Sequence, residues 1–216
     1  MDITNAMGER VPTKYGNLLI TTFLGKGKSG YSYLAQQGDD KYVIKFMHYE
    51  PCAYYSFGDT NKVDLEVSAF NELQRVGVKI PRLLEANSEL NFLLKEYVHG
   101  DLVTDLIANN ILPDHCIAQV FNMAKVLEAS GLNIDYFPDN FVVMGDVLYY
   151  VDYEVNKYDA AWNLSNWGLY YWANTSGMKA YKETKNVLHI NQSLDSGVPI
   201  KEPFEVKVSA WCTSYQ

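Results

Sequence analysis

The segment NIDYFPDN (133–140) places Asp135 and Asn140 five residues apart around Pro138, in a stretch that a regular helix does not accommodate. A carboxylate held in such a turn can orient an acceptor hydroxyl and take its proton. A neutral amide beside it can ligate a hard divalent cation without adding negative charge. A second acid, Asp152, follows FVVM-GD-VLYYV (141–151), where Gly145–Asp146 marks a hairpin turn. The hairpin returns Asp152 towards Asn140, which makes the two candidate ligands of one cation. An acid in a turn is ordinarily a turn former, so neither Asp135 nor Asp152 carries this reading singly.

Two further groups lie upstream. The run LGKGKSGYSYLA contains Gly25, Lys26, Gly27, Lys28, Ser29 and Gly30 as G-x-G-x-x-G. Glycine lets a backbone approach a phosphate closely and take positive φ. Here β-rich sequence continues straight after the glycines, whereas a dinucleotide-binding turn would open a helix. The spacing therefore predicts a loop between antiparallel strands, able to cover phosphates, with Lys26 and Lys28 as candidate phosphate contacts. In YVIK, Lys45 ends the next strand, and Glu66 on the following helix is its candidate partner, with Glu72 the local competitor. An ion pair there would hold an ammonium where α- and β-phosphates could bind it.

The elements that must position these groups follow from periodicity. Residues 17–25 and 31–36 read as strands, 36–41 as a hairpin turn, 42–47 as a third strand and 51–62 as a loop. Val63, Val67, Phe70 and Leu73 recur at helical spacing over 63–75, and Gly77 closes that helix. Residues 79–98 read as two strands around a turn at 87–91. The pattern changes from strands to helices near His99–Gly100, which gives a first lobe over 1–98 and a second over 99–216. Pro113 opens a helix with an apolar face of Ile117, Val120, Phe121, Ala124 and Leu127, ended by Gly131. Residues 159–174 read as an aromatic helical stretch, with Trp162, Trp167 and Tyr171 as core, and the tail from about Ser193 carries no assigned element.

The bulk composition bounds the function. The chain has 216 residues, 48% hydrophobic and 20% charged, which suits a folded protein of one large domain or two small lobes. A formal net charge of −8 with no Lys/Arg run argues against nucleic-acid binding. Cys52, Cys116 and Cys212 are odd in number and form no C-x-x-C pair, so reduced thiols are expected; His48–Cys52 and His115–Cys116 read as loop residues without metal. No stretch reaches the length of a membrane span and the first residues carry no apolar signal core, so a cytoplasmic protein without a membrane partner is expected.

Glycine loop, strand lysine, helix glutamate, D-x-x-x-x-N and hairpin-returned Asp occur in one order, and in that order the sequence resembles the protein-kinase-like superfamily from about Leu19 to Asp159. Glu66 to Pro81 with VGVKIPRLL looks most like small atypical kinases of the RIO type. YVDYEVNKYDAAWNL is similar to aminoglycoside and choline kinase relatives, where an acid commonly follows the D-x dipeptide. The resemblance implies an α+β, two-lobed kinase-like fold with an antiparallel-sheet N-lobe, a reduced helical C-lobe and ATP in the cleft. It implies Asp135 as catalytic base, Lys45 and Glu66 as the phosphate-holding pair, Asn140 and Asp152 as Mg²⁺ ligands, residues 25–30 over the phosphates, and backbone groups of Glu96 to Val98 against adenine.

The sequence also departs from that pattern. Asn133-Ile134 replaces His-Arg, Phe137 stands where a Lys or His is usual, Ser32 replaces a valine, and Lys95 occupies the position before the hinge acid. No activation segment follows Asp152, and no large acceptor-binding insert is present. The expectation is an ATP- and Mg²⁺-dependent phosphotransferase of atypical serine/threonine type acting on a hydroxyl-bearing protein or small molecule. A small-molecule kinase and a nucleotide-binding pseudokinase are the alternatives.

Overall fold

A computed structural model describes residues 1–51 and 60–215. Most of the expected loop at 51–62, with Cys52, lies outside the described residues. The chain is mixed α/β, with a curled antiparallel sheet and six α-helices among the described residues. It comprises two units, Met1–Asn71 with Pro81–Tyr97, and Glu72–Ile80 with Val98–Gln216.

The first unit is built on six strands, β1 (Arg10–Thr13), β2 (Gly16–Lys26), β3 (Gly30–Gln37), β4 (Asp40–Met47), β5 (Leu83–Asn87) and β6 (Phe92–Glu96). Their order is β1-β2-β3-β4-β6-β5, with every neighbouring pair antiparallel. Alternation along a strand sends successive side chains to opposite faces. Tyr31, Tyr33 and Ala35 of β3, Ile44 and Phe46 of β4, and Phe92 and Leu94 of β6 form one core with Ala6, Val11, Leu18 and Ile20. Lys45 and its register partner Leu93 therefore point to the other face.

Helix α1 (Lys62–Val76) carries Asp64 in its first turn and Arg75 in its last, which suits the helix dipole. Gly77, at φ +84°, ends it in the conformation glycine adopts without strain. Its buried stripe is Val63, Glu66, Ala69 and Leu73, rotated from the stripe read in the sequence, with Val67 and Phe70 at the margin. An acid thus occupies the centre of the buried face.

The second unit holds three short pairings and five helices. β7 (Asp101–Leu102) pairs with β9 (Phe141–Met144), and β9 pairs with β10 (Val147–Tyr150) across a turn at Gly145, φ +59°. β8 (Leu132–Asn133) pairs with β11 (Asn156–Lys157). The helices are α2 (Val103–Ala108), α3 (Asp114–Ala129), α4 (Leu169–Ala173), α5 (Thr175–Thr184) and α6 (Glu205–Tyr215). In α3, Ile117, Val120, Phe121 and Leu127 enter the unit's core, as their spacing predicts.

Two stretches differ from the sequence reading. Residues 159–174 do not form one helix: a single 3₁₀ turn at Ala160–Trp162 leads into a wide turn over Leu164–Gly168 and then α4. A side chain at Gly168 would lie 2.5 Å from Tyr136 Cβ, so the chain approaches residue 136 too closely for a regular apolar face. Tyr171 and Trp172 are buried, Trp167 is half-buried against the core, and Trp162 is 42% exposed, outside the core expected for it. The tail forms α6, packed through Val208, Trp211, Cys212 and Tyr215. That i, i+3, i+4, i+7 pattern was present in the sequence as a helix signal.

Candidate functional site

In the first unit the strand lysine and the helix glutamate meet. Lys45 Nζ lies 2.5 Å from Glu66 Oε1, with both side chains over nine-tenths buried. Glu66 Oε1 also accepts from Ser29 Oγ at 2.8 Å. Glu72 is half-buried and faces Arg75 at 3.9 Å, so it does not take that place. The pairing follows from two periodicities: β4 turns Lys45 away from the Ile44–Phe46 core, and α1 sets Glu66 one turn after Val63 on its buried stripe.

The glycine loop joins β2 to β3 and lies against the start of α1. None of Gly25, Gly27 and Gly30 adopts positive φ, so the conformational role expected for them is not the one they play. Gly30 is required by contact: a Cβ there would stand 2.5 Å from the Phe46 carbonyl oxygen. At Gly25 a Cβ would meet open space, and at Gly27 it would make only an ordinary contact, 4.0 Å from the Gly30 carbonyl oxygen. Lys26 is exposed and paired with Glu50 at 2.5 Å, above the Tyr31 ring. That contact raises the Lys26 ammonium and lowers the Glu50 carboxyl from their ordinary values. Lys28 is half-buried, with its carbonyl 3.4 Å from Lys62 Nζ.

At the end of β6, the Glu96 carboxylate accepts from Arg82 Nε at 3.2 Å, and its backbone N–H donates to the Arg82 carbonyl at 2.9 Å. Of the backbone groups expected to face adenine, the Glu96 N–H is thus engaged within the sheet. Lys95 is buried, and Val98 is buried at the start of the second unit's main segment.

In the second unit, topology brings the acids together. Residues 134–140 connect β8 to β9, and residues 151–155 connect β10 to β11. Because β8 pairs with β11 and β9 with β10, both ends of the two connections are held side by side. The ladder runs one residue past Phe141↔Tyr150, with Val151 N–H donating to the Asn140 carbonyl at 2.8 Å. Asp135 closes its turn by accepting from the Phe137 N–H at 2.9 Å, and Asp152 Oδ1 accepts from the Tyr153 N–H at 2.9 Å. The Asn140 amide donates to the Asp135 carbonyl at 3.2 Å, which fixes its donor end and leaves its oxygen as the group for a cation.

Tyr150 stands at the centre of this arrangement and was not singled out from the sequence. Its hydroxyl donates to the Glu154 carbonyl at 3.2 Å and bonds with the Asp135 backbone. Burial, then the charges of Asp152, Glu154 and Asp135, push its hydroxyl well above the usual tyrosine range, so it remains a donor. Trp172 Nε1 donates to the Tyr136 carbonyl at 2.8 Å, and Asn133 Nδ2 to the Trp162 carbonyl at 2.9 Å, bracing both sides of Asp135. Thr104 hydrogen-bonds Asp139. Phe137 packs edge-on against Tyr171, centroids 5.1 Å apart, and Tyr181, 6.0 Å apart.

Among the described residues, no three His, Cys, Asp or Glu side chains form a metal-holding group. Asn140 and Asp152 are oxygen donors suited to Mg²⁺, which takes few protein ligands and completes its shell from phosphate and water. His48 is buried with its ring bonded to the Gly27 carbonyl, and burial pushes the Cys116 thiol up to about 11. No helix among the described residues is long and apolar enough to cross a membrane. A scan against protein-family models gave no match, and a search of curated proteins gave none either.

Proposed function

We propose that the protein is a phosphotransferase of the kinase-like superfamily that moves the γ-phosphoryl group of ATP to a hydroxyl acceptor, as an atypical serine/threonine-type kinase. The observation that carries this reading is the buried Lys45–Glu66 pair at 2.5 Å. Two ions out of water are costly to hold, and a solvent-facing strand lysine would need no such partner. A phosphate-binding ammonium does need one, to fix its position and charge.

In this reading Lys45 holds the α- and β-phosphates and Glu66 holds Lys45. Residues 25–30 cover the phosphate chain, and backbone groups near Glu96 and Val98 take the adenine. Asp135, fixed in its turn by the Phe137 N–H, orients the acceptor hydroxyl and receives its proton as the oxygen attacks the γ-phosphorus. Asn140 and Asp152 would hold Mg²⁺, which when bound neutralises charge developing on the phosphates. The two units take the roles of N-lobe and C-lobe.

The test is Mg²⁺-dependent ATP turnover or autophosphorylation. Asp135→Ala and Asp152→Ala are expected to lower it by at least about a hundredfold, the scale of one acid–base or charge-stabilising group. Equal phosphate release by wild type and Asp135→Ala would end the catalytic reading. A second reading, a nucleotide-binding pseudokinase, is favoured by one observation: Phe137, where a cation would assist the transferring group, is packed among Tyr171 and Tyr181. ATP-induced thermal stabilisation without turnover would select it.

A further inference from the structure

Each of the four carbonyls at the tip of the glycine loop is bonded to a protein donor. Gly27 O is met by His48 Nε2 at 3.0 Å and Lys28 O by Lys62 Nζ at 3.4 Å. Ser29 O accepts from the His48 backbone N–H at 3.0 Å, and Gly30 O from the Gly27 N–H at 2.9 Å. The Ser29 side chain adds a fifth tie, to Glu66 at 2.8 Å. All of these partners lie in the first unit.

The two side chains responsible are themselves well fixed. His48 is buried, and its Nδ1 accepts from the Glu50 N–H at 3.2 Å. A carbonyl can only accept and a backbone N–H only donate, so the ring is the neutral Nε2–H tautomer. Tyr31 packs against it, centroids 5.2 Å apart. Lys62, 2% exposed, bridges Lys28 O to the His48 carbonyl at 2.5 Å and sits 5.3 Å from the Tyr49 ring. Lys62 thereby ties the loop, the end of β4 and the start of α1 at one point.

The consequence is electrostatic. Carbonyl lone pairs repel an oxyanion, and backbone N–H groups attract it. A loop whose tip carbonyls are drawn to protein donors turns fewer lone pairs towards an anion, although its Gly27 N–H is taken by the Gly30 carbonyl and Lys26 by Glu50. We propose that His48 and Lys62 are positioning residues that make residues 27–30 an anion-binding loop for a polyphosphate chain, by holding the Gly27 and Lys28 carbonyls against the end of β4 and the start of α1. This rests on the nucleotide-binding reading above for the identity of the polyphosphate as that of a nucleoside triphosphate.

The experiment compares wild type with His48→Phe and Lys62→Met, which keep bulk and lose the donors, and with His48→Gln, whose amide can still reach the Gly27 carbonyl. Inorganic tripolyphosphate and ATP are titrated calorimetrically, and hydrogen exchange at residues 26–31 is followed without ligand. Wild type is expected to bind tripolyphosphate. Both donor-deleting variants are expected to bind it roughly tenfold more weakly, as when a loop's hydrogen bonds are misaligned, and to exchange faster at the loop, with His48→Gln restoring both. Faster exchange with unchanged tripolyphosphate affinity would overturn the proposal, because the ties would then be structural only. Unchanged exchange would overturn it as well. If His48→Phe does not fold, Lys62→Met and His48→Gln decide the matter alone. Tripolyphosphate binding without ATP binding would leave the anion loop standing and remove the nucleotide reading. Binding of neither by wild type would remove both.

Discussion

Lys45→Met removes the ammonium from a buried pair while keeping the length and apolar bulk of the side chain. At 2.5 Å and an effective dielectric constant near 20, the gross attraction is about 7 kcal/mol. Desolvation of two ions offsets several kcal/mol of that, and deleting one member of such a pair typically costs about 3–5 kcal/mol because a charge is left buried. Glu66 would retain Ser29 Oγ on Oε1, but its Oε2 is buried without a hydrogen-bond partner among the described residues, so the upper part of that range is expected. Glu66→Gln should cost a similar amount by stranding Lys45. The double variant Lys45→Met with Glu66→Gln should lose at least about 2 kcal/mol less than the sum of the singles, since it buries no lone charge. All four tryptophans lie in the second unit, so their fluorescence is a poor reporter of this pair. Hydrogen exchange of β3 and β4 amides across a urea series reads it directly. Single variants costing under about 0.5 kcal/mol, or additive losses in the double, would refute the claim that these two charges depend on each other.

The three loop glycines separate contact from approach. Gly30→Ala should destabilise the first unit by about 1–3 kcal/mol, since its Cβ would press on the Phe46 carbonyl. Gly25→Ala, which meets open space, and Gly27→Ala, which makes only an ordinary contact, should change stability by under about 1 kcal/mol and act instead on ATP affinity; urea melts and calorimetry distinguish the two effects. Tyr150→Phe should cost about 1 kcal/mol and lower kcat of the proposed transfer more than it raises the KM for ATP, because the lost hydroxyl ties Glu154 to the Asp135 turn. An equal effect on kcat and KM would show that the hydroxyl only braces the fold. Cys116, buried and with its thiol pushed up to about 11, should resist alkylation in native protein at pH 8, with Cys212 labelling before it by peptide mass mapping.

Local order along the chain was legible wherever one face repeats. The apolar spacing in α3, the glycine turn of the β9–β10 hairpin and the alternation around Lys45 each depend only on residues a few positions apart, and the sequence alone placed those elements. The same local signals put Asp135 and Asn140 in one turn and Asp152 just past a hairpin. It took the second pairing, β8 with β11, to hold both connections side by side, and a two-residue strand has no readable period. Which glutamate meets Lys45 was likewise decided by tertiary packing, because the stripe α1 buries is set by what lies against it, and that rotation put Glu66 inside and Glu72 at the margin. The ties from His48 and Lys62 to the glycine loop left no trace in residue spacing. Backbone carbonyls are the same at every position, so which of them a distant side chain reaches is settled only when the chain has folded.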